Sequence, residues 1–292
     1  MSARISQAQA DGAAASAASF WPTFGRRWPW TRAPELAPIY QRVGELTVAL
    51  LRAFPAIQWS NQARWYRRDV RDTPAIIALT PDALRAEVGA LSTAAGGAEG
   101  KPVVSLLYLP EKDAPPDADG AASGNTESAV ARTLLASTAL DAPYYTAQLA
   151  HELLNCFCYT SWDGQTIRSG LREGAADSTL DAEPGAERGA ALNDLLLDAM
   201  LVHFLPAASD VRPADLFDGA QGPYWRIART FSARLRGVPA LPALFSGVPD
   251  ARSRFQQGLA LALDLADAAR ELDARAAAHD WAALRHTLGD DE

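Results

Sequence analysis

The stretch that most constrains the fold runs from Ala191 to Phe204 and reads ALNDLLLDAMLVHF. A helix that is apolar on nearly every side is typically buried, because it has no face suited to water. The stretch also carries Asp194 and Asp198, which lie one turn apart on the same helix face. Buried carboxylates need partners. We therefore expect the acidic face of this helix to meet other polar groups, unless the two residues form a solvated face or helix-start charges.

A second helix offers candidate partners. The stretch from Ala147 to Cys158, AQLAHELLNCFC, contains His151-Glu152-Leu153-Leu154-Asn155. A zinc-peptidase helix reads His-Glu-x-x-His, because two imidazoles four residues apart reach one ion and the Glu acts as general base on the bound water. Here Asn155 takes the place of the second His, and its carboxamide is a weak donor for zinc. Cys158 lies too far along the helix to replace it, and Cys156 and His203 face away from the site.

Together, His151-Glu152…Asn155 and Asn193-Asp194…Asp198 resemble the motifs of the gluzincin metallopeptidases, the thermolysin-like clan. In that family HExxH precedes a second helix with Asn-Glu-x-x-x-(Asp/Glu). The resemblance implies that His151 is a metal ligand, Glu152 the catalytic base, Asp194 the third ligand and Asp198 the residue that orients a ligand His. It departs from the family at Asn155, the lost ligand position, and at Asp194, which is one methylene shorter than Glu.

The resemblance covers about residues 75–270. It implies an α+β, mainly helical fold, a zincin-like metallopeptidase domain with a small N-terminal mixed sheet. The strand Val103–Leu109 matches the edge strand that faces substrate in the family, where a peptide or protein segment could pair with it. A site with two strong ligands should hold no zinc or only weakly bound zinc.

Three functions follow as hypotheses. The first is an inactive metallopeptidase-like protein, a pseudoenzyme that acts in binding or as a structural module, because Glu152 without bound metal has no acidified water to deprotonate. The second is an active metal-dependent peptidase or hydrolase that uses His151, Asn155 and Asp194. The third is an unrelated helical interaction protein, which predicts that His151 and Asp194 lie far apart.

Periodicity and turn signals divide the chain into an aromatic and basic arm (1–34), one domain (35–278) and a polar tail (279–292). Within the domain, residues 35–110 are expected as helix and sheet, 111–126 as a loop and 127–278 as mainly helical. The expected helices after the loop lie at about 127–138, 142–159, 188–205, 223–237, 239–246 and 251–278. Strand-like arms with a turn at Asp163-Gly164 are expected between the motif helices.

The arm carries Phe20, Trp21, Phe24, Trp28 and Trp30 beside Arg26 and Arg27. Such a segment can stack bases or lie at a membrane interface, but packing on the body of the protein is the favoured interpretation. The formal net charge of −8 also disfavours nucleic acid. We expect no nucleic-acid partner, no membrane contact by the arm and, since no signal peptide or transmembrane segment is recognised, a cytoplasmic location.

Overall fold

A computed structural model describes residues 37–63, 76–79, 103–108, 130–136, 145–162, 166–175, 188–209, 211–219 and 221–290. The N-terminal arm 1–34, the loop 111–126 and the turn Asp163-Gly164 lie outside these residues.

The described elements follow one another in mainly helical order. A first helix and a 3-10 helix precede three strands: α1 (Ala37–Ala53), the 3-10 helix (Pro55–Trp59), β1 (Ile76–Leu79), β2 (Val103–Tyr108) and β3 (Val130–Ala136). The two motif helices enclose three more strands: α2 (Tyr145–Phe157), β4 (Thr160–Trp162), β5 (Thr166–Ser169), β6 (Arg172–Ala175) and α3 (Ala190–Ala208). The helices that follow are α4 (Pro213–Phe217), α5 (Gly222–Arg234), α6 (Ala240–Phe245), α7 (Ala251–Leu263), α8 (Ala268–Ala277) and α9 (Trp281–Thr287).

The described strands form two three-stranded sheets. The first has the order β1-β3-β2, with β3 parallel to β1 and antiparallel to β2, so the expected mixed sheet is confirmed. α2 packs against β3 and β1, while β2 lies at the edge. The second sheet is antiparallel, in the order β4-β5-β6. These elements confirm an α+β, mainly helical fold.

The expected buried helix is α3. Leu195, Leu196, Leu197 and Leu201 are fully buried, and α3 packs against α2, α5 and α8. α3 is also long and apolar enough to cross a membrane, but 61% of its apolar window is buried inside the protein. Burial by neighbouring helices on several sides explains why α3 is apolar on nearly every side.

Three expectations about elements are wrong. The helix expected at 127–138 is the strand β3, which pairs with β1 and β2 on either side, and this tertiary pairing overrides the local preference of a short apolar stretch. The helix expected at 251–278 breaks at Asp264, which caps α7 in the left-handed conformation (φ 50°). The C-terminal segment expected as a polar tail forms α9 and buries Leu284 and Leu288.

Candidate functional site

The two motif helices bring His151 between Asp194 and Asp198. The Nδ1 atom of His151 lies 2.8 Å from Oδ1 of Asp198, and its Nε2 atom lies 3.4 Å from Oδ1 of Asp194. The side chains of His151 and Asp198 are 17% and 9% exposed, whereas that of Asp194 is 38% exposed. The separation of His151 from Asp194 expected of an unrelated helical protein is therefore not found.

Helical spacing explains this arrangement. Asp194 and Asp198 are one turn apart on α3, so they present two carboxylates along one face. α2 packs against α3 with His151 facing that pair, and an imidazole has one nitrogen for each carboxylate. A single side chain from the other motif helix thus contacts both carboxylates.

Part of this geometry suits a metal ligand. A ligating His commonly has its second nitrogen held by a carboxylate, as Asp198 holds Nδ1 of His151. Two ligand atoms that each lie about 2.0 Å from a tetrahedral zinc ion are about 3.3 Å apart. The Nε2–Oδ1 distance of 3.4 Å between His151 and Asp194 is close to that value.

The sequence pattern gave no sign of Arg172, which lies at the start of β6. Its Nη2 atom donates a hydrogen bond of 2.5 Å to Oδ1 of Asp194, the same oxygen that faces His151. The Arg172 side chain is only 15% exposed. Asp194 therefore has a protein cation on the oxygen that it would offer to a metal.

The turn that carries Arg172 is held from two sides. Gly170 adopts φ +57°, and a Cβ atom there would lie 2.5 Å from Oδ1 of Asn193 and 2.9 Å from Sγ of Cys158. The same Asn193 oxygen accepts a 3.0 Å hydrogen bond from the backbone N–H of Leu171. From α7, Arg252 donates to the carbonyls of Gly170 and Arg172. Only glycine fits this close approach without strain.

Tyr224 on α5 is a second group that the sequence did not indicate. Its hydroxyl donates a 2.5 Å hydrogen bond to Oδ2 of Asp198, whose other oxygen faces His151. The ring of Tyr224 packs edge-on against Trp281 of α9, with centroids 5.3 Å apart. Tyr224 and His151 thus hold both oxygens of Asp198, and the C-terminal helix supports this arrangement.

The remaining candidates lie on the same helices. Glu152 and Asn155 are buried on α2, at 8% and 7% exposure, and Asn155 follows His151 by one turn. Cys156 and Cys158 are buried free thiols, and burial raises the pKa of Cys158 to about 12. His203 is exposed on α3, as its phase relative to Asp194 predicts.

Charge pairing sets the protonation states of the cluster. Burial opposes the charged form of His151, but Asp198 and Asp194 outweigh it and hold the pKa of His151 well above its usual range. Burial likewise opposes ionisation of Asp194, but Arg172 and His151 hold its pKa well below its usual range. Both directions favour an arrangement at neutral pH in which the imidazolium of His151 and the guanidinium of Arg172 face the carboxylate of Asp194.

The donor set does not fit a strong zinc site. His151 and Asp194 are two strong donors, Asn155 is a weak one, and Asp198 is engaged on the far nitrogen of His151. Among the described residues, no group of three or more His, Cys, Asp or Glu side chains could hold a metal ion. Comparison of the chain with protein-family models, curated proteins and solved structures finds no match.

Proposed function

We propose that this protein is a metallopeptidase-like protein that lacks strong zinc binding and acts by binding, not by hydrolysis. One observation supports this most: two strong donors, His151 Nε2 and Asp194 Oδ1, face each other 3.4 Å apart, and the third position of the motif is Asn155. Zinc sites in peptidases use three protein ligands. Without a third, zinc affinity falls and Glu152 has no acidified water to act on.

In this proposal the motif residues have a structural role. His151 joins α2 to α3, Arg172 joins β6 to α3, and Tyr224 joins α5 to α3. Each contact links elements far apart in sequence, with separations from 22 to 47 residues. Largely buried charges with well-matched partners fix the packing of these elements, although such pairs add little net stability over apolar residues.

For the binding role we propose an extended peptide or protein segment as partner. β2 pairs with β3 on one side and, among the described strands, has no partner on the other. A free edge strand can accept an extended segment through backbone hydrogen bonds. The proposal of this partner rests on the same family resemblance as the motif, since the strand that corresponds to β2 faces substrate in gluzincins.

Metal analysis of protein purified without chelator tests the proposal. The expected result is substoichiometric metal in the wild type, unchanged in an Asp194→Ala variant, with no cleavage of an unfolded protein substrate. Glu152→Gln is the matched control for any residual cleavage, because it keeps the side chain's size and removes the base. Stoichiometric zinc that is lost in Asp194→Ala would contradict the proposal.

The second candidate is an active metal-dependent hydrolase. It is favoured by the 2.8 Å contact of Asp198 with Nδ1 of His151, which leaves Nε2 directed at Asp194 as in a ligating His. It predicts cleavage that is abolished by Glu152→Gln and by a chelator, and restored by added metal. Activity with those three properties would establish this candidate over the pseudoenzyme.

A further inference from the structure

We infer that Arg172 is a metal-excluding residue, because its guanidinium occupies the position at Asp194 where a metal ion would bind. Arg172 and Asn155 are then two separate reasons why zinc does not bind. The inference rests on the proposed function, since a protein that held zinc tightly would exclude nothing. It adds a second determinant that lies outside both motif helices, on strand β6.

The contact geometry supports competition for one atom. Oδ1 of Asp194 is 2.5 Å from Nη2 of Arg172 and 3.4 Å from Nε2 of His151. A zinc ion bound to that oxygen would lie about 2 Å from it, close to both cationic groups. Two positive charges at such a distance repel strongly in a partly buried site. Zinc binding would therefore require Arg172 to leave Asp194.

The backbone that carries Arg172 is held beside Asp194, so the guanidinium stays within reach of the carboxylate. Asn193, the neighbour of Asp194, accepts a hydrogen bond from the N–H of Leu171, and Arg252 donates to the carbonyl of Arg172 itself. The β5–β6 pairing of Ser169 with Arg172 closes the turn around Gly170. The guanidinium is thus delivered to Asp194 by a turn that is anchored to α3 and α7.

The other arginine of this hairpin provides a contrast. Arg168, on β5, is 45% exposed and pairs with Glu173 at 3.4 Å. It carries the same charge as Arg172 on the same sheet, but its described ion pair does not involve Asp194. If the ion pair with Asp194 is what lowers zinc affinity, neutralising Arg168 should have little effect on that affinity.

The test is a zinc titration, by competition with a chromophoric chelator, of wild type, Asn155→His, Arg172→Met and the double variant Asn155→His/Arg172→Met. We expect the double variant to bind one zinc ion about 10- to 100-fold more tightly than Asn155→His alone, the range over which a group bonded to a metal ligand changes metal affinity. Asn155→His/Arg168→Met is the matched control, expected to resemble Asn155→His. Circular dichroism and thermal melting verify folding, and Arg172→Gln replaces Arg172→Met if the latter is unfolded.

Each outcome is decisive. Equal zinc affinity of Asn155→His and the double variant, or a folded double variant that binds no zinc, overturns the role of Arg172 and leaves the proposed function intact. An equal gain with Arg168→Met overturns it too, because long-range charge would then suffice. Stoichiometric zinc in the wild type instead overturns the proposed function itself.

Discussion

The described ion pairs around the motif helices differ in kind from those in the C-terminal helices. Around the motif helices, His151, Asp194, Asp198 and Arg172 pair between elements that are distant in sequence, and most of these side chains are largely buried. In the C-terminal helices, pairs such as Arg270 with Asp267, 77% and 64% exposed, join residues within one turn. The Arg254–Asp250 and Arg275–Glu271 pairs are also local.

From this difference we infer which charges specify the tertiary structure. An exposed pair within one helix turn gains little, since water already solvates both groups. A largely buried pair between elements contributes packing specificity, and removal of one partner leaves the other uncompensated. We therefore expect the loss of stability on mutation to depend on the region in which the ion pair lies.

Asp198→Ala should produce the largest loss of stability, about 3 kcal/mol, because it leaves His151 and the Tyr224 hydroxyl without their shared acceptor. Urea unfolding measures this loss, and Asp198→Asn, which keeps an acceptor oxygen, should lose less. A loss below about 0.5 kcal/mol would place Asp198 in the same class as the exposed pairs.

The loss of stability in Asp198→Ala should also depend on pH. The raised pKa of His151 contributes stability that is fully present below the unfolded value of about 6.5 and is lost as pH rises through the folded value. The difference between wild type and Asp198→Ala should therefore be largest near pH 6 and shrink in alkaline solution. Unfolding measured across this range is the test, and a difference that grows with pH would have the wrong sign.

Gly170→Ala should cost about 2 kcal/mol, because the new Cβ would be in the left-handed conformation and 2.5 Å from Oδ1 of Asn193. Gly237 is the matched control: its φ is +85°, but a Cβ there meets nothing within 4 Å. Gly237→Ala should carry only the conformational cost of about 1 kcal/mol. Equal losses in the two variants would show that the site turn is not tightly packed.

Asp273→Ala should cost about 1 kcal/mol. From α8, Asp273 accepts hydrogen bonds from the backbone N–H groups of Gly189 and Leu192 at 2.8 and 2.9 Å, and the residue before α3 provides no side-chain cap of its own. Thermal unfolding of Asp273→Ala beside Asp273→Asn, which keeps one acceptor, measures the effect. If both variants unfold at the same temperature as the wild type, this contact does not cap α3.

Arg270→Ala should change the free energy of unfolding by less than about 0.5 kcal/mol, because its pair with Asp267 is exposed and local. Measurement beside Asp198→Ala in the same buffer gives the regional contrast directly. A loss of more than about 1 kcal/mol would show that exposed pairs also specify the fold.

The motif helices could be predicted from sequence because their signals are local. The His151-Glu152 pair, the Asp194…Asp198 spacing and the apolar character of α3 are all read within one helix. The juxtaposition of His151 with both carboxylates came from a family resemblance, and the structure places these side chains together. The zincin fold, the metal state and the function remain predictions.

Features that depend on distant contacts could not be read in this way. β3 was expected as a helix because its pairing partners, β1 and β2, lie elsewhere in the chain. Arg172 and Tyr224 reach the site only because a turn and a trailing helix pack on α3, and no spacing rule connects them to Asp194 or Asp198. The available hint was the Ser169-Gly170-Leu171 turn, whose glycine marks a close approach before Arg172.

The most direct test of the central claim is the protonation state of His151, observed by nitrogen-15 NMR of its side chain at neutral pH with and without one equivalent of zinc. The ion-pair cluster predicts protons on both ring nitrogens, since one faces Asp198 and the other Asp194, and a spectrum unchanged by zinc. Loss of the Nε2 proton with a zinc-dependent shift would contradict the account and identify His151 as a metal ligand.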